Sequence, residues 1–578
     1  MKKKTILLPI FVLSSVMLSS CGLFDFLKDT INFDVKSTSL YHLDPEKEGS
    51  SKDDIKVKDI GLFFVPNQPL IPYVSVSQYF EYIPLRQGYK IQTASGLVND
   101  IVVVSNKEDE PTFALSIDYS QKTVMVAGSL TGVVDNGKGE EIDDSTLKDN
   151  LFVEYDIVAG SSNANTYSWD SFGIDSYRYK QKNYLPISFL DLNVSKESGT
   201  YFFYNNKSLY RYFDYSIVEN YSFTNEDGHQ TTVLNEYKHA INNQPQPHYL
   251  VLYNLECYMY MMQNMYGLRY SKNISDWRKY LISQDLYYGM LDEKSPETRG
   301  LYYSNSINKL NDDHSGLISS ILANVYGETV SRERGDISKE RKELLTNLTN
   351  SRHAVYEEKG LREIDGIIYS EDGESASFIF DSFNYDKREN VEKGIYEKDA
   401  FALLQHQFNI LKEKEVKNVF IDISTNGGGA LYVMFKILAL TSKDNLFNTK
   451  ITDYNAGLEV LYHGGVDINN DEVYNAEDCY GDDFNIYLIT SACSFSCGNA
   501  YPYIARKMNN VTLMGKRTGG GECAVETNIL PNLQVMQYSS NLHIGYQGYG
   551  FEDGIQPDIE LEYNEFYDIE TLVNKIKA

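Results

Sequence analysis

From about Ile60 to Pro247 the apolar residues come in short runs, among them DIVVVS, FALSIDYS, KTVMVAGSL and GTYFFYN, separated by Gly, Asn and Asp. Runs of Val, Ile, Tyr and Phe between turn-formers suit a pleated, half-buried surface, so residues 60–247 are read as an all-β region. IPYVSVSQYFEYI and NYLPISFLDL share a proline and an alternating pattern, too little to establish a repeat. At His248 the spacing turns helical in YLVLYNLECYMYMMQNMYG and SDWRKYLISQDLYYGML, which predicts a helical subdomain over 248–325 that includes NDDHSGLISSIL.

A charged segment around Ser331 to Ser351 reads as loose, and beyond it strand and helix patterns alternate. SASFIFDSF, VKNVFIDIS and NIYLIT read as strands; DAFALLQHQFNILKEK, ALYVMFKILALTS and GNAYPYIARKM read as helices. Such a series predicts an α/β core over 326–578, with a mostly parallel sheet and crossover helices. Ligands in such sheets bind at the carboxyl ends of the strands, where this chain carries a Gly-rich and a Ser-rich turn.

The first twenty residues form an export signal: Lys2, Lys3 and Lys4, then the apolar ILLPIFVLSSVML, then LSSC ending at Cys21. LSSC resembles the bacterial lipobox, which implies cleavage before Cys21 and a lipid on the new N-terminus. The alternative is an ordinary secretory signal that contains a cysteine. Residues 21–59, with DPEKEGSSKDDIKVKD, lack an apolar period and read as a tether. The expected location is extracytoplasmic, held to a bacterial membrane by lipid.

The 578 residues exceed one hydrophobic core, so a multi-domain chain is expected. A net charge of -28 opposes a phosphate backbone and argues against nucleic acid as a partner. Beyond Cys21 stand Cys257, Cys479, Cys493, Cys497 and Cys523. Export is compatible with a disulfide among the last four, and the odd number leaves at least one thiol. Cys493 and Cys497 have no second pair or histidines at zinc spacing, and no metal or cofactor is expected.

Two turns carry candidate chemistry. IDISTNGGG sets Gly427, Gly428 and Gly429 between a buried strand and a helix, where bare backbone N–H groups suit a developing anion or a tight turn. It lacks the GK[ST] ending of a phosphate loop. SACSFSCGNA holds five nucleophilic side chains, Ser491, Cys493, Ser494, Ser496 and Cys497. A serine at the sharp entrance to a helix exposes its Oγ above the sheet, and Ser496 is best placed for this. Ser491 and Cys493 stand near the strand end, Ser494 suits a turn or cap, and the Cys497 thiol lies one residue past the elbow.

NVFIDISTNGGG, LITSACSFSCGNA, LMGKRTGGG and GFEDGIQPDIELE, in this order, resemble the S41 peptidases over about 160 residues. Those are the C-terminal processing proteases, tricorn core enzymes and related modules, with D-L-R-x-N-x-G-G, T-A-S-A-x-E, G-x-x-T-x-G and E-x-x-G-x-x-P-D. The resemblance implies a ClpP/crotonase-like core, a protein or peptide substrate and no cofactor. It puts the nucleophile at Ser496 and oxyanion donors at the N–H of Cys497 and of Gly428 or Gly429.

The departures select a branch. The lysine of the processing proteases falls on Gly521, which excludes a Ser-Lys dyad there; Lys516 occupies another slot and is expected at the surface. LNDDHSGL is similar to the D-x-H-[ST] motif of the histidine branch and implies His314 as base. Glu552 then falls where the supporting carboxylate stands, with Asp312, Asp313 or Asp558 as alternatives and Ser315 as a bridge. Such a carboxylate orients the imidazole and stabilises its charged form. No PDZ module is apparent between His314 and the core, which also points to the histidine branch. Ser424 and Asn499 replace the family's arginine and glutamate, and Pro502 falls early in the helix after the nucleophile. The expected function is an exported, lipid-anchored serine peptidase, against the alternative of a weak or inactive scaffold that binds peptides or envelope components. An envelope-binding role for residues 60–247 is compatible with either.

Overall fold

The computed structural model describes residues 31–135, 145–160, 164–241, 244–292, 295–321, 336–546 and 550–577. The signal segment and Cys21 lie outside the described residues. The C-terminal core is a six-stranded sheet in the order Ile368–Tyr369, Ser375–Ile379, Asn418–Asp422, Asn485–Thr490, Thr512–Gly515, Ile559–Glu560. Its first pairing is antiparallel and the other four are parallel. Near-continuous apolar runs such as NVFID suit strands covered on both faces. Val419, Ile421, Leu488 and Leu513 pack with the helices Ala400–Glu413, Leu431–Leu440 and Cys497–Lys507. The alternate residues Phe420, Ile489 and Met514 pack with Leu348 and Tyr356 of the helix Asp336–Glu358 and with Leu572 and Val573 of the helix Ile569–Lys577. Because Asp422 is in register with Ile489, the turns after these two strands leave the sheet side by side.

A second sheet runs Gly316–Ser320, Gln534–Gly545, Phe447–Asp453, Leu458–Val466, Leu151–Ala159, with Cys523–Ile529 also paired to Gln534–Gly545. Its outer strand Leu151–Ala159 comes from the N-terminal half of the chain and pairs antiparallel with Leu458–Val466. The helices His248–Met265, Trp277–Ser283 and Pro296–Asn308 form the helical part, and the first is buried almost all round. It meets the second sheet at Gly267, whose N–H donates to the Ser539 carbonyl at 2.8 Å.

The N-terminal region is β-rich, with a seven-stranded sheet and a five-stranded antiparallel one, but it also contains helices. Val76–Tyr82 follows the strand Gln68–Val74 directly, with Ser75 and Gln78 forming a capping box. Ile187–Ser198 follows Lys182–Pro186 in the same way. The two proline-containing fragments are therefore strand-to-helix corners, whose mixed periods imitate a strand. The expected tether is also structured: Asp34–His42 lies between Lys56–Val65 and Leu209–Tyr212 in the seven-stranded sheet. Most of its polar residues face outward and only Leu40 and Tyr41 are buried, so it shows no apolar period. From Asp336 on, the segment read as loose belongs to the helix Asp336–Glu358, whose many exposed charges hide the inward Leu348, Arg352 and Tyr356. All five described cysteines are free and buried, with no disulfide among them.

A Cβ on Gly267 would stand 1.9 Å from the Ser540 carbonyl oxygen, so the helical part touches the Gln534–Gly545 strand backbone to backbone. Gly267→Ala is expected to force the two apart and to destabilise the fold by about 1–3 kcal/mol. A thermal melt should show a lowered midpoint; an unchanged one would mean that this contact yields freely.

Candidate active site

The turn after Asn485–Thr490 sorts the five candidate nucleophiles. Ser491 donates its Oγ–H to the Ser424 carbonyl at 2.5 Å, and Ser494 donates to the Ile423 carbonyl at 2.7 Å while its oxygen accepts the Ser491 N–H. Both are fully buried and bind the two turns together. The Cys493 and Cys497 thiols are buried and donate to the carbonyls of Arg341 and Gly429. Burial pushes the Cys497 thiol up to about 12, far from a thiolate. Ser496 is half-buried, occupies the N-cap of Cys497–Lys507 and makes no capping bond with its side chain. Its backbone stands at φ 58°, ψ −125°, a conformation that costs a serine on the order of 1–3 kcal/mol and is held by surrounding bonds. Those are Ser496 N–H to the Gly520 carbonyl and Phe495 N–H to the Asn426 carbonyl, both 3.0 Å.

The glycine turn lies directly on this elbow. A Cβ on Gly428 would meet the Ser496 Cβ at 2.8 Å and the Cys497 nitrogen at 3.0 Å, and Gly428 and Gly429 hold φ of 106° and 145°. The Gly428 N–H donates to Asn426 Oδ1 at 2.9 Å, and its carbonyl accepts from Phe383 N–H and Ser382 Oγ. The N–H groups of Gly429 and Cys497 have no partner among the described residues. Of the two glycines named as oxyanion donors, Gly429 has its N–H available and Gly428 does not.

His314 arrives from the second sheet, on the turn between Pro296–Asn308 and Gly316–Ser320. Asp312 shapes that turn, accepting the His314 N–H at 3.1 Å and the Ser315 Oγ–H at 2.6 Å. Ser539 Oγ donates to Asp312 at 3.1 Å and Gln537 Nε2 to the His314 carbonyl at 2.8 Å, which fixes the turn to the Gln534–Gly545 strand. The imidazole is buried, lies 4.6 Å from the Phe495 ring and has neither nitrogen hydrogen-bonded among the described residues. Burial lowers its proton affinity below the ordinary histidine range; Asp312 and Asp313 act against this and Arg341 with it. The ring is therefore a neutral base at physiological pH. It does not hydrogen-bond to Ser496, and packs instead against the Phe495 ring and Gly521. A Cβ on Gly521 would come within 3.0 Å of the His314 ring and 2.8 Å of Phe495. The bare backbone at this position makes room for the imidazole.

Glu552 packs behind the same glycine turn. Its carbonyl accepts the Gly521 N–H at 3.0 Å and its carboxyl accepts the Glu522 N–H at 2.7 Å, with no bond to the imidazole. Burial, followed by Asp312 and Glu522, pushes its acid up to about 8. Asp558 is remote from the base and holds the Leu513 N–H and Arg506. Ser315 serves Asp312 rather than the ring, and Lys516 pairs with Glu562 at 2.9 Å, away from the site. Asn499 joins the nucleophile helix to the Glu552 loop through Phe551 and Thr518. The sequence reading missed Arg341, in the segment taken as loose, and Arg352, just beyond it. Their spacing of three helical turns was the available signal.

Residues 394–561 match the family model described as Peptidase family S41. No protein of curated function matches the chain. Among solved structures, one from Parabacteroides merdae is 17% identical over 57% of this chain and 97% of its own, with a TM-score of 0.39. Mature CPAF is 11% identical over 57% and 96%, TM-score 0.38, and the tricorn protease 11% over 88% and 46%, TM-score 0.32. The matched segment is similar to the S41 peptidases, and the class that this likeness supports is serine peptidase.

Gly521→Ala should crowd both rings from a left-handed backbone position and lower serine reactivity, as read by labelling with a fluorophosphonate, while circular dichroism stays that of the parent. Parental reactivity in that variant would contradict the close packing described. Glu552 holds its proton more tightly folded than unfolded, so its contribution to stability is complete below the ordinary carboxylate range and fades as pH rises towards about 8. The melting midpoint of Glu552→Gln should depend less on pH between about 5 and 8 than that of the parent. Identical slopes would contradict the raised pKa.

Proposed function

We propose that this protein is an exported, lipid-anchored serine endopeptidase that cleaves proteins or peptides outside the cytoplasm through an acyl-enzyme. The observation that carries the reading is the Ser496 elbow, with its uncapped side chain beside the open N–H groups of Cys497 and Gly429. In the proposed reaction Ser496 Oγ attacks the scissile carbonyl and His314 takes its proton. The oxyanion is stabilised by the two N–H groups, a contribution of about 3–4 kcal/mol per donor in related chemistry. His314 then protonates the leaving amine, and water activated by the same imidazole releases the acid and restores Ser496. Asp312 and Asp313 favour the imidazolium that forms in between. Glu552, the supporting carboxyl group in this reading, acts through the Gly521 backbone that flanks the ring. Membrane attachment rests on the LSSC sequence at Cys21.

A peptide-binding scaffold is the second reading, favoured by the missing hydrogen bond between His314 and Ser496; catalytic bonds of this kind often tighten only with substrate. A fluorophosphonate probe separates the two. It should modify the parent at Ser496, fail on Ser496→Ala and be slowed at least about a hundredfold in His314→Ala. Modification that persists in Ser496→Ala would reassign the nucleophile, and a folded parent that takes no label would favour the scaffold.

A further inference from the structure

The helix Asp336–Glu358 sends two arginines to the site. Arg341 and Arg352 are eleven residues apart, three turns, so they leave the same helix face about 16 Å from each other. Arg352, whose side chain is 6% exposed, makes a two-pronged bond to Asp381 at 2.8 and 2.9 Å and reaches Glu363 and Thr425 at 2.8 Å each. Asp381 leads into Ser382 and Phe383, the residues that hold the Gly428 carbonyl. At the other end, Arg341 pairs with Asp313, donates to the Gly519 carbonyl at 2.9 Å and lies 4.4 Å over the Phe495 ring. Through these contacts one guanidinium touches the turn of His314, the residue before Ser496 and the glycine turn that flanks both.

We propose that Arg341 is a positioning residue for the acylation step: it clamps the His314 turn to the Ser496 elbow, while Arg352 fixes the same helix to the support of the oxyanion loop. The inference rests on the serine-peptidase reading for its kinetic effect, but the clamp itself is independent of turnover. A planar fork that pairs, donates and stacks at once is a task for arginine that lysine cannot reproduce. The charged and titratable groups around the imidazole are Asp312 and Asp313 on its own turn and Arg341 from the helix. Tyr266, Cys523 and Glu552 lie beyond Asp312. Removing Arg341 deletes the one cation acting on the ring among the described residues and takes away the partner of Asp313, so both changes raise the proton affinity of His314. The reaction needs the neutral ring, and its acid limb then moves to higher pH.

The test uses the full chain and the rate of fluorophosphonate labelling at Ser496 against pH, with the imidazole titration of His314 followed by NMR. Arg341→Met should label roughly tenfold more slowly or worse, as expected for a misplaced reacting group, with its acid limb and NMR midpoint at higher pH. Arg341→Lys keeps the charge but not the fork, so its rate should fall while its midpoint stays near that of the parent. Parental rate and midpoint in a folded Arg341→Met overturn the inference. If the Met variant does not fold, a parental rate in Arg341→Lys does so. A parent that takes no label strikes the peptidase reading alone, and the NMR midpoint in Arg341→Met still decides the clamp: raised supports it, unchanged overturns it.

Discussion

The close approach of two backbone turns at the ends of neighbouring parallel strands is the constraint from which the site follows. With Asp422 opposite Ile489, the glycine turn and the serine turn leave the sheet at one level, and only the absence of a side chain at Gly428 lets them touch. The contact is sealed by buried hydroxyls, Ser491 and Ser494, each bonded to a carbonyl of the partner turn. These serines are structural because they are buried, and Ser496 is available because its strained backbone lifts it away from them. Burial and one backbone angle separate the serines that bind the turns together from the one that stands free.

The place of the proposed base follows the same logic of space. Where a lysine would reach in from the Gly519–Gly521 turn, there is a glycine, and an imidazole carried by a different sheet fills the room beside it. A side chain so distant in sequence needs its own scaffold. That scaffold is the Gln534–Gly545 strand, bonded to the His314 turn through Ser539 and Gln537 across a separation of 227 and 223 residues. The neutral state of the ring comes from its burial, with two carboxylates and one guanidinium adjusting it in opposite senses.

The alternating core was legible because its strands are apolar on both faces and its helices have a wide apolar stripe, so the two periods are distinct. The elbow was legible because the strand Asn485–Thr490, the turn and the helix Cys497–Lys507 follow one another directly and leave Ser496 at the helix entrance. Other features were hidden for physical reasons. Asp34–His42 pairs through its backbone while showing solvent mostly polar side chains, and the capped helix at Val76 carries the β-branched and aromatic residues expected of a strand. Asp336–Glu358 turns so much charge outward that its two inward arginines look like solvated ones. Which glycine keeps a free N–H depended on the side chain of Asn426, and no local pattern announces that. That Glu552 serves the glycine turn rather than the ring is likewise a tertiary fact.

The strand Leu151–Ala159 closes the sheet that holds the His314 turn, and its partner Leu458–Val466 lies about three hundred residues further along the chain. Joining such distant segments carries a large loop-closure entropy and is slow. The parts of the site are also far apart in the chain, the Ser496 elbow, the glycine turn beside the ring and the Glu552 loop following the His314 turn by about 180 to 240 residues. Synthesis order thus separates the parts: a chain emerging from the ribosome carries the His314 turn long before the Ser496 elbow that it meets in the fold.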